Sequence, residues 1–289
     1  MWSVSKPSED YKEILEKCIS TITRKKELKT KLEKSKEFLI SENRQLEKLI
    51  IAHQTFTIKA HSMVNNILTQ QEMMSLYTNK LSKAGQPARI HYDKIISLPK
   101  LGICPFCGHN TATTLDHYLP KQSYPTYAIS PINLVASCKD CNTTKSTHGF
   151  EEDEKVLIHP YFEEIDDVIW LKAEIIEEMD SSQTNLLTFN FYVTHPEHWD
   201  TKLFKRVENQ FMVLRLNKLF STQAAQGFIN RYQRYINVYR DSGKEELKHQ
   251  LEEEIQSYEM NHLNSWEVAF LRALRDSEWF FNNFMKNNL

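Results

Sequence analysis

The stretch that most restricts what this chain can fold into runs from Cys104 to Lys145 and reads CPFCGHNTATTLDHYLPKQSYPTYAISPINLVASCKDCNTTK. It holds four of the five cysteines, as two C-x-x-C pairs, Cys104 with Cys107 and Cys138 with Cys141. A two-residue gap lets both thiolates of a pair face one ion, so together they predict a tetrahedral Zn2+ site. The N-terminus, MWSVSKPSEDYKE, lacks the basic patch and apolar core of a secretory signal. A cytoplasmic location is expected, where thiols stay reduced and serve as metal ligands rather than disulfides. Four thiolates leave no open coordination position, so this zinc is expected to staple the fold and not to catalyse. The knuckles are separated by residues 108–137, thirty in all, more than the roughly 15–20 of a plain zinc ribbon. The insert must therefore be a structured excursion that returns to the metal. Cys18, alone on a helical pattern, reads as a buried small hydrophobe.

The excursion carries Asp116, His117 and Asn133, and Asn142 follows the last cysteine. Thr113-Thr114-Leu115 reads as a strand leading into Asp116-His117. Neighbours on a strand point to opposite sides, so both can serve one site only if the strand bends or ends there. Pro120 supports such an ending. Pro-Ile-Asn-Leu-Val around Asn133 reads as turn then strand, and a helix should begin at Asn142. The series D-H, N-L-V, C-x-x-C-N-x-x-K resembles the HNH endonuclease family with its zinc-stapled ββα-metal fold. The resemblance implies that His117 is the general base and that Asn133 braces the loop and orients it. It further implies that Asp116 and Asn142 hold a catalytic Mg2+ or Mn2+, with asparagine where the motif often ends in histidine. The chemistry agrees, since a neutral imidazole with a pKa near 6.5 suits proton abstraction from water. Oxygen ligands favour Mg2+ or Mn2+ over zinc at this second site. Lys121 and Lys145 read either as phosphate contacts or as ordinary surface lysines. His148 and His159 lie outside the matched positions and read as structural, and His109 could hydrogen-bond a thiolate.

The flanks are helical. Pro7 to Gly85 contains no proline or glycine between its ends, and Tyr11, Ile14, Leu15, Cys18, Ile19 and Ile22 recur at helical steps. Ser8 is a plausible N-cap, and two or three helices, paired as a hairpin, are expected. Arg24 to Lys36 holds seven basic residues against Glu27 and Glu33. A solvated face, a phosphate-binding face and a partner interface all remain open for it. Further on, Val168–Lys172 and Leu186–Val193 read as strands of a hairpin joined through Asp180–Gln183, with Ala173–Met179 either strand or helical turn. A second helical block starts at Asp200, and its last helix opens at Asn264-Ser265-Trp266-Glu267. Residues 201–240 carry eight basic side chains and one acidic, with Tyr232, Tyr235 and Tyr239 interleaved. Arg231 and Arg234 are candidate nucleic-acid contacts there, and the tyrosines are equally candidates for core.

The expected architecture is mainly α with a small α+β core, in four segments. These are a helical region over residues 1–90, the ββα module with its four-cysteine site over 91–160, a hairpin connector over 161–199 and a helical region over 200–289. Net charge is −2, so overall charge does not announce a nucleic-acid binder. No apolar run approaches the roughly 18 residues of a membrane span. The layout as a whole, with I-C-P-F-C, D-H-Y-L-P-K and a late N-x-W helix, is similar to the HNH subunits of Septu-type anti-phage systems, found also in some retrons. That resemblance implies a nuclease effector working with an ABC-like ATPase partner. The expected substrate is DNA, with RNA left open. The competing expectations are a catalytically inactive zinc module that binds nucleic acid, and a helical adaptor with a structural zinc.

Overall fold

Uninterrupted by proline or glycine, the N-terminal stretch winds into two helices, α1 over Tyr11–Ser20 and α2 over Lys26–Ile51. The computed structural model describes residues 1–146, 152–177 and 187–289. These form two compact units, one of residues 2–164 and one of Ile165–Leu289 together with Met1.

In the first unit α1 buries Tyr11, Ile14, Leu15, Cys18 and Ile19, the face that the spacing predicts. Its cap is Asp10, whose Oδ1 accepts the Glu13 amide at 2.9 Å. Ser8 lies two residues too early to make that bond. The helices pair as a hairpin, with Lys36 Nζ 2.6 Å from Glu16. A short antiparallel pair follows, β1 (Met63–Val64) with β2 (Leu68–Thr69). Helix α3 (Gln70–Leu76) opens with a capping box between Thr69 and Glu72 and runs into a π-helical turn over Tyr77–Leu81. Helix α4 spans Arg89–Ile96.

Strand β3 (Thr114–His117) then pairs antiparallel with β4 (Leu134–Ser137), Thr114 opposite Ser137 and His117 opposite Leu134. Helix α5 covers Lys139–Lys145. It starts three residues before Asn142, where the sequence predicts its start, because Cys138 acts as the N-cap. Ile14, Leu32, Met73 and Ile95 from the helices and Leu115, Leu134 and Ala136 from the strands belong to a single buried cluster. The helical region and the strand–strand–helix segment thus share a core.

The second unit pairs β5 (Leu171–Ile176) with β6 (Thr188–Val193), antiparallel. Ala173 to Ile176 continue the strand, and its start falls at Leu171 rather than Val168. The Trp170 and Leu171 amides both donate to Asn264 Oδ1, at 2.8 and 3.1 Å. The predicted connection Asp180–Gln183 lies outside the described residues, as does His148. Helix α6 spans Thr201–Val213, α7 Leu216–Glu259, and α8 Trp266–Asp276 behind a Ser265 cap. Gly243 sits at φ 84°, ψ −176°, a conformation open essentially to glycine alone, and breaks α7. Arg231 with Glu254 and Arg234 with Gln250 pair symmetrically about that break, so α7 folds back as an antiparallel hairpin. Among the described residues no helix is long and apolar enough to cross a membrane.

Candidate metal centre and catalytic site

The four-cysteine cluster is assembled from two local structures. Cys104 and Cys107 lie on the loop that leads into β3, where Gly108 turns the chain at φ 65°. Cys138 and Cys141 sit at the start of α5, and the Cys141 amide donates to Cys138 Sγ at 3.3 Å. All four are buried and free of disulfides, and their sulfurs lie within 4.8 Å of one another. Bonds of about 2.3 Å to one tetrahedral ion put sulfurs roughly 3.8 Å apart, so the cluster is compatible with a structural zinc. A doubly charged ion would hold all four as thiolates. Asn110, unremarked in the sequence, contacts two of the sulfurs. Its amide donates to Cys107 Sγ at 3.4 Å, and its side chain lies 3.9 Å from Cys138 Sγ.

His117 is the last residue of β3, and the chain turns away after it. Asp116 and His117 therefore face opposite sides of the strand. The His117 ring is buried against Tyr77, centroid to centroid 4.4 Å and edge-on. Its Nε2 lies 2.9 Å from the Ala128 carbonyl oxygen. A carbonyl oxygen only accepts, so Nε2 carries the proton and the lone pair is on Nδ1. Burial, reinforced by the Lys121 ammonium, pushes the His117 pKa down to about 3. The ring is neutral at physiological pH.

Asp116 faces α5. Its Oδ2 is 3.0 Å from Lys145 Nζ, with side-chain exposures of 7% and 0%. Apart from this ion pair the buried oxygen meets no donor among the described residues. Lys145 also donates to the His117 carbonyl, at 2.6 Å. Burial raises the Asp116 pKa and Lys145 opposes it, and burial wins. Lys145 is an internal cation rather than an ordinary surface lysine. Asn142, on α5, places Nδ2 3.5 Å from Thr114 Oγ1, two residues before Asp116 on the same side of β3. Lys121 is half-buried over the other prominent ring of the site, its Nζ 5.3 Å from the Tyr77 centroid. Burial pushes its pKa down.

Asn133 is fully buried on the turn before β4. Its Oδ1 accepts the Leu119 amide at 2.7 Å, and its Nδ2 donates to the Leu119 and Tyr127 carbonyls, each at 3.1 Å. It does not touch the imidazole. It clasps the loop whose next residue, Ala128, offers the carbonyl that holds His117. His159 is a buried structural residue, with Nε2 3.0 Å from the Ile132 carbonyl oxygen. Tyr77 is the site residue that sequence reasoning missed. It lies forty residues upstream in a helical run, and no spacing links it to His117.

Arg231 and Arg234 in the second unit are spoken for. Arg231 bonds Glu254, the Gly227 carbonyl and the Tyr258 hydroxyl, and Arg234 bonds Glu254 and Gln250. Tyr235 is buried, and Tyr239 donates to the Phe281 carbonyl. Arg231 and Arg234 thus lie along the seam of a helical hairpin, whereas Arg215 and Lys218 are exposed.

Two curated proteins frame this arrangement. The chain is 26% identical over 294 aligned positions to protein ea31 of Escherichia phage lambda, across 95% of this chain and 97% of that protein. It is 41% identical over 39 residues to Septu protein PtuB of Bacillus thuringiensis, across 14% of this chain and 15% of that protein. No protein-family model matches the chain. No solved structure matches it.

Proposed function

We propose that the chain is a metal-dependent endonuclease of the HNH kind that hydrolyses phosphodiester bonds of DNA. The observation that carries this reading is the geometry of His117, at the end of a strand with its Nε2 proton committed to the Ala128 carbonyl and its lone pair on Nδ1. The antiparallel pair β3–β4, the helix α5 and the cysteine cluster support it, as does the short similarity to a Septu protein. In the reaction, Nδ1 takes a proton from water as the oxygen attacks phosphorus. The P–O bond opposite breaks, and the leaving oxygen takes a proton from solvent. Asn133 keeps the Ala128 carbonyl in place and so fixes the tautomer.

A hard cation fits the oxygen donors here, because Asp116 Oδ2 is buried with the Lys145 ammonium as its one partner among the described residues and Asn142 offers an amide oxygen. Mg2+ or Mn2+ bound there would supply positive charge to the phosphorane and the leaving oxygen. It would share the Asp116 carboxylate with Lys145. Lys121 stands where it can meet a phosphate. An ATPase partner, a cytoplasmic setting and a role in anti-phage defence complete the proposal. The relative that matches over nearly its whole length is itself a phage protein, so the defence setting leans on the short similarity.

One observation favours a second reading, a zinc-stabilised module that binds nucleic acid without cutting it. The Lys145 ammonium already neutralises Asp116. Zinc-loaded protein with Mg2+ or Mn2+ should nick plasmid DNA, alone or with the ATPase. His117→Ala should abolish nicking with zinc content unchanged. Equal cutting by both proteins would overturn the base assignment.

A further inference from the structure

The basic run Arg24–Lys36 is resolved by its ion pairs. Lys31 pairs with Glu27 and Glu72, and Lys36 pairs with Glu16. Arg24, Lys25, Lys26, Lys29 and Lys34 are exposed and form no ion pair among the described residues. Lys25 and Lys26 each meet Lys29 on one side of α2, at steps of four and three, where like charges repel. They also stand at the start of the helix, where its dipole disfavours cations. Helix stability does not account for this arrangement. Lys26, Lys29, Thr30, Glu33 and Lys34 line a shallow depression.

The same end of α2 is tied to the candidate site. Lys80 donates to the Thr21 carbonyl at 2.9 Å, and Thr21, Arg24, Lys25 and Leu28 line a cavity of about 250 Å3 together with Leu76 and Lys80. Tyr77, three residues before Lys80 on that π-helical turn, packs on His117. The segment that touches the imidazole thus also abuts the unpaired cations.

We propose that Arg24, Lys25, Lys26, Lys29 and Lys34 form the surface that holds the DNA backbone, in place of the basic residues of the second unit. It rests on the nuclease reading for its biological role, but binding can be measured without cutting. From Lys25 to Lys34 the helix spans roughly 14 Å, enough to face about four phosphates of one strand at 3.4 Å each. Charge is what selects this partner, since the five cations stand against two acidic residues, Glu33 and Glu27, of which Glu27 pairs with Lys31.

The test is binding of the full, zinc-loaded chain to a labelled mixed-sequence DNA duplex, without Mg2+ or Mn2+, from about 50 to 200 mM salt. Lys25→Gln, Lys26→Gln and Lys29→Gln combined should weaken binding at least tenfold, and should flatten the log–log salt slope by about 0.9 for each lysine that contacts a phosphate. Glu33→Gln should tighten binding. Arg215→Gln with Lys218→Gln, both exposed in the second unit, should leave slope and affinity unchanged. The proposal is overturned if the triple variant binds as wild type, if the second-unit variant accounts for the loss, or if wild type binds no duplex. A chain that binds through this face but never cuts sinks the nuclease reading alone. A chain that cuts with the triple variant unimpaired in binding sinks this proposal alone.

Discussion

Replacing Lys145 by methionine isolates what the buried cation contributes. The substitution keeps an unbranched side chain of similar length but leaves the buried Asp116 carboxylate with only the half-buried Lys121 ammonium acting on it. Both side chains are almost wholly enclosed, at 0% and 7% exposure, and 3.0 Å apart. Breaking such a pair from one side costs about 3–5 kcal/mol, since the remaining charge has no water and has lost its direct partner. The His117 carbonyl also loses its ammonium donor at 2.6 Å. Domains commonly have about 5–15 kcal/mol in total, so the loss is a large fraction. At roughly 2–4 °C per kcal/mol for a unit of this size, Tm should fall by about 6–20 °C. The sign of the pH dependence follows from Asp116. Its pKa is already raised by burial, with Lys145 pulling it back, so the variant carries it higher. An acid raised in the folded state favours folding at low pH, and that contribution is lost as pH rises through the folded value. Lys145→Met should therefore be less destabilised at pH 5.5 than at pH 8. Asp116→Asn combined with Lys145→Met removes both charges and should recover part of the loss. Urea unfolding of the zinc-loaded chain, followed by tryptophan fluorescence, measures all three. The reasoning fails if Lys145→Met unfolds at the wild-type midpoint at both pH values, or if the double variant is less stable than Lys145→Met alone.

Two further outcomes are expected. His117 has its pKa pushed down to about 3, so the unfolded chain takes up a proton below about pH 6.5 that the folded chain refuses. Stability should fall between pH 7 and pH 5.5 by about 1.4 kcal/mol more in wild type than in His117→Asn, read from paired urea titrations. Parallel curves would show that the ring is not held neutral. Gly108 turns the first knuckle at φ 65°, and a Cβ there would sit 2.7 Å from Trp2 Nε1. Gly108→Ala should weaken zinc retention against a competing chelator, whereas Gly102→Ala, with φ 68° but nothing within 4 Å, should leave it near wild type. Equal retention by both would remove Trp2 from the account.

Much of the site was legible because its signals are local. The strand before His117, the turn at Asn133 and the helix bearing Asn142 follow from short-range pattern. Even the misjudged start of α5 is a local effect, since Cys138 caps the helix while also belonging to the cluster. The roles of cations were not legible. Lys145 and Lys34 look alike in a sequence, yet one is enclosed beside Asp116 and the other is exposed with no ion-pair partner.

By itself the sequence determined the spacing of the four thiols and the order of strand, turn and helix. These depend on covalent distance and backbone preference over a few residues. Only the tertiary structure decided which charges are neutralised. Glu254 reaches Arg231 and Arg234 because α7 folds back on itself, Tyr77 reaches His117 across forty residues, and Arg24, Lys25, Lys26 and Lys29 form no ion pair among the described residues. Electrostatic interaction depends on distance in space and on access to water, and the fold sets both.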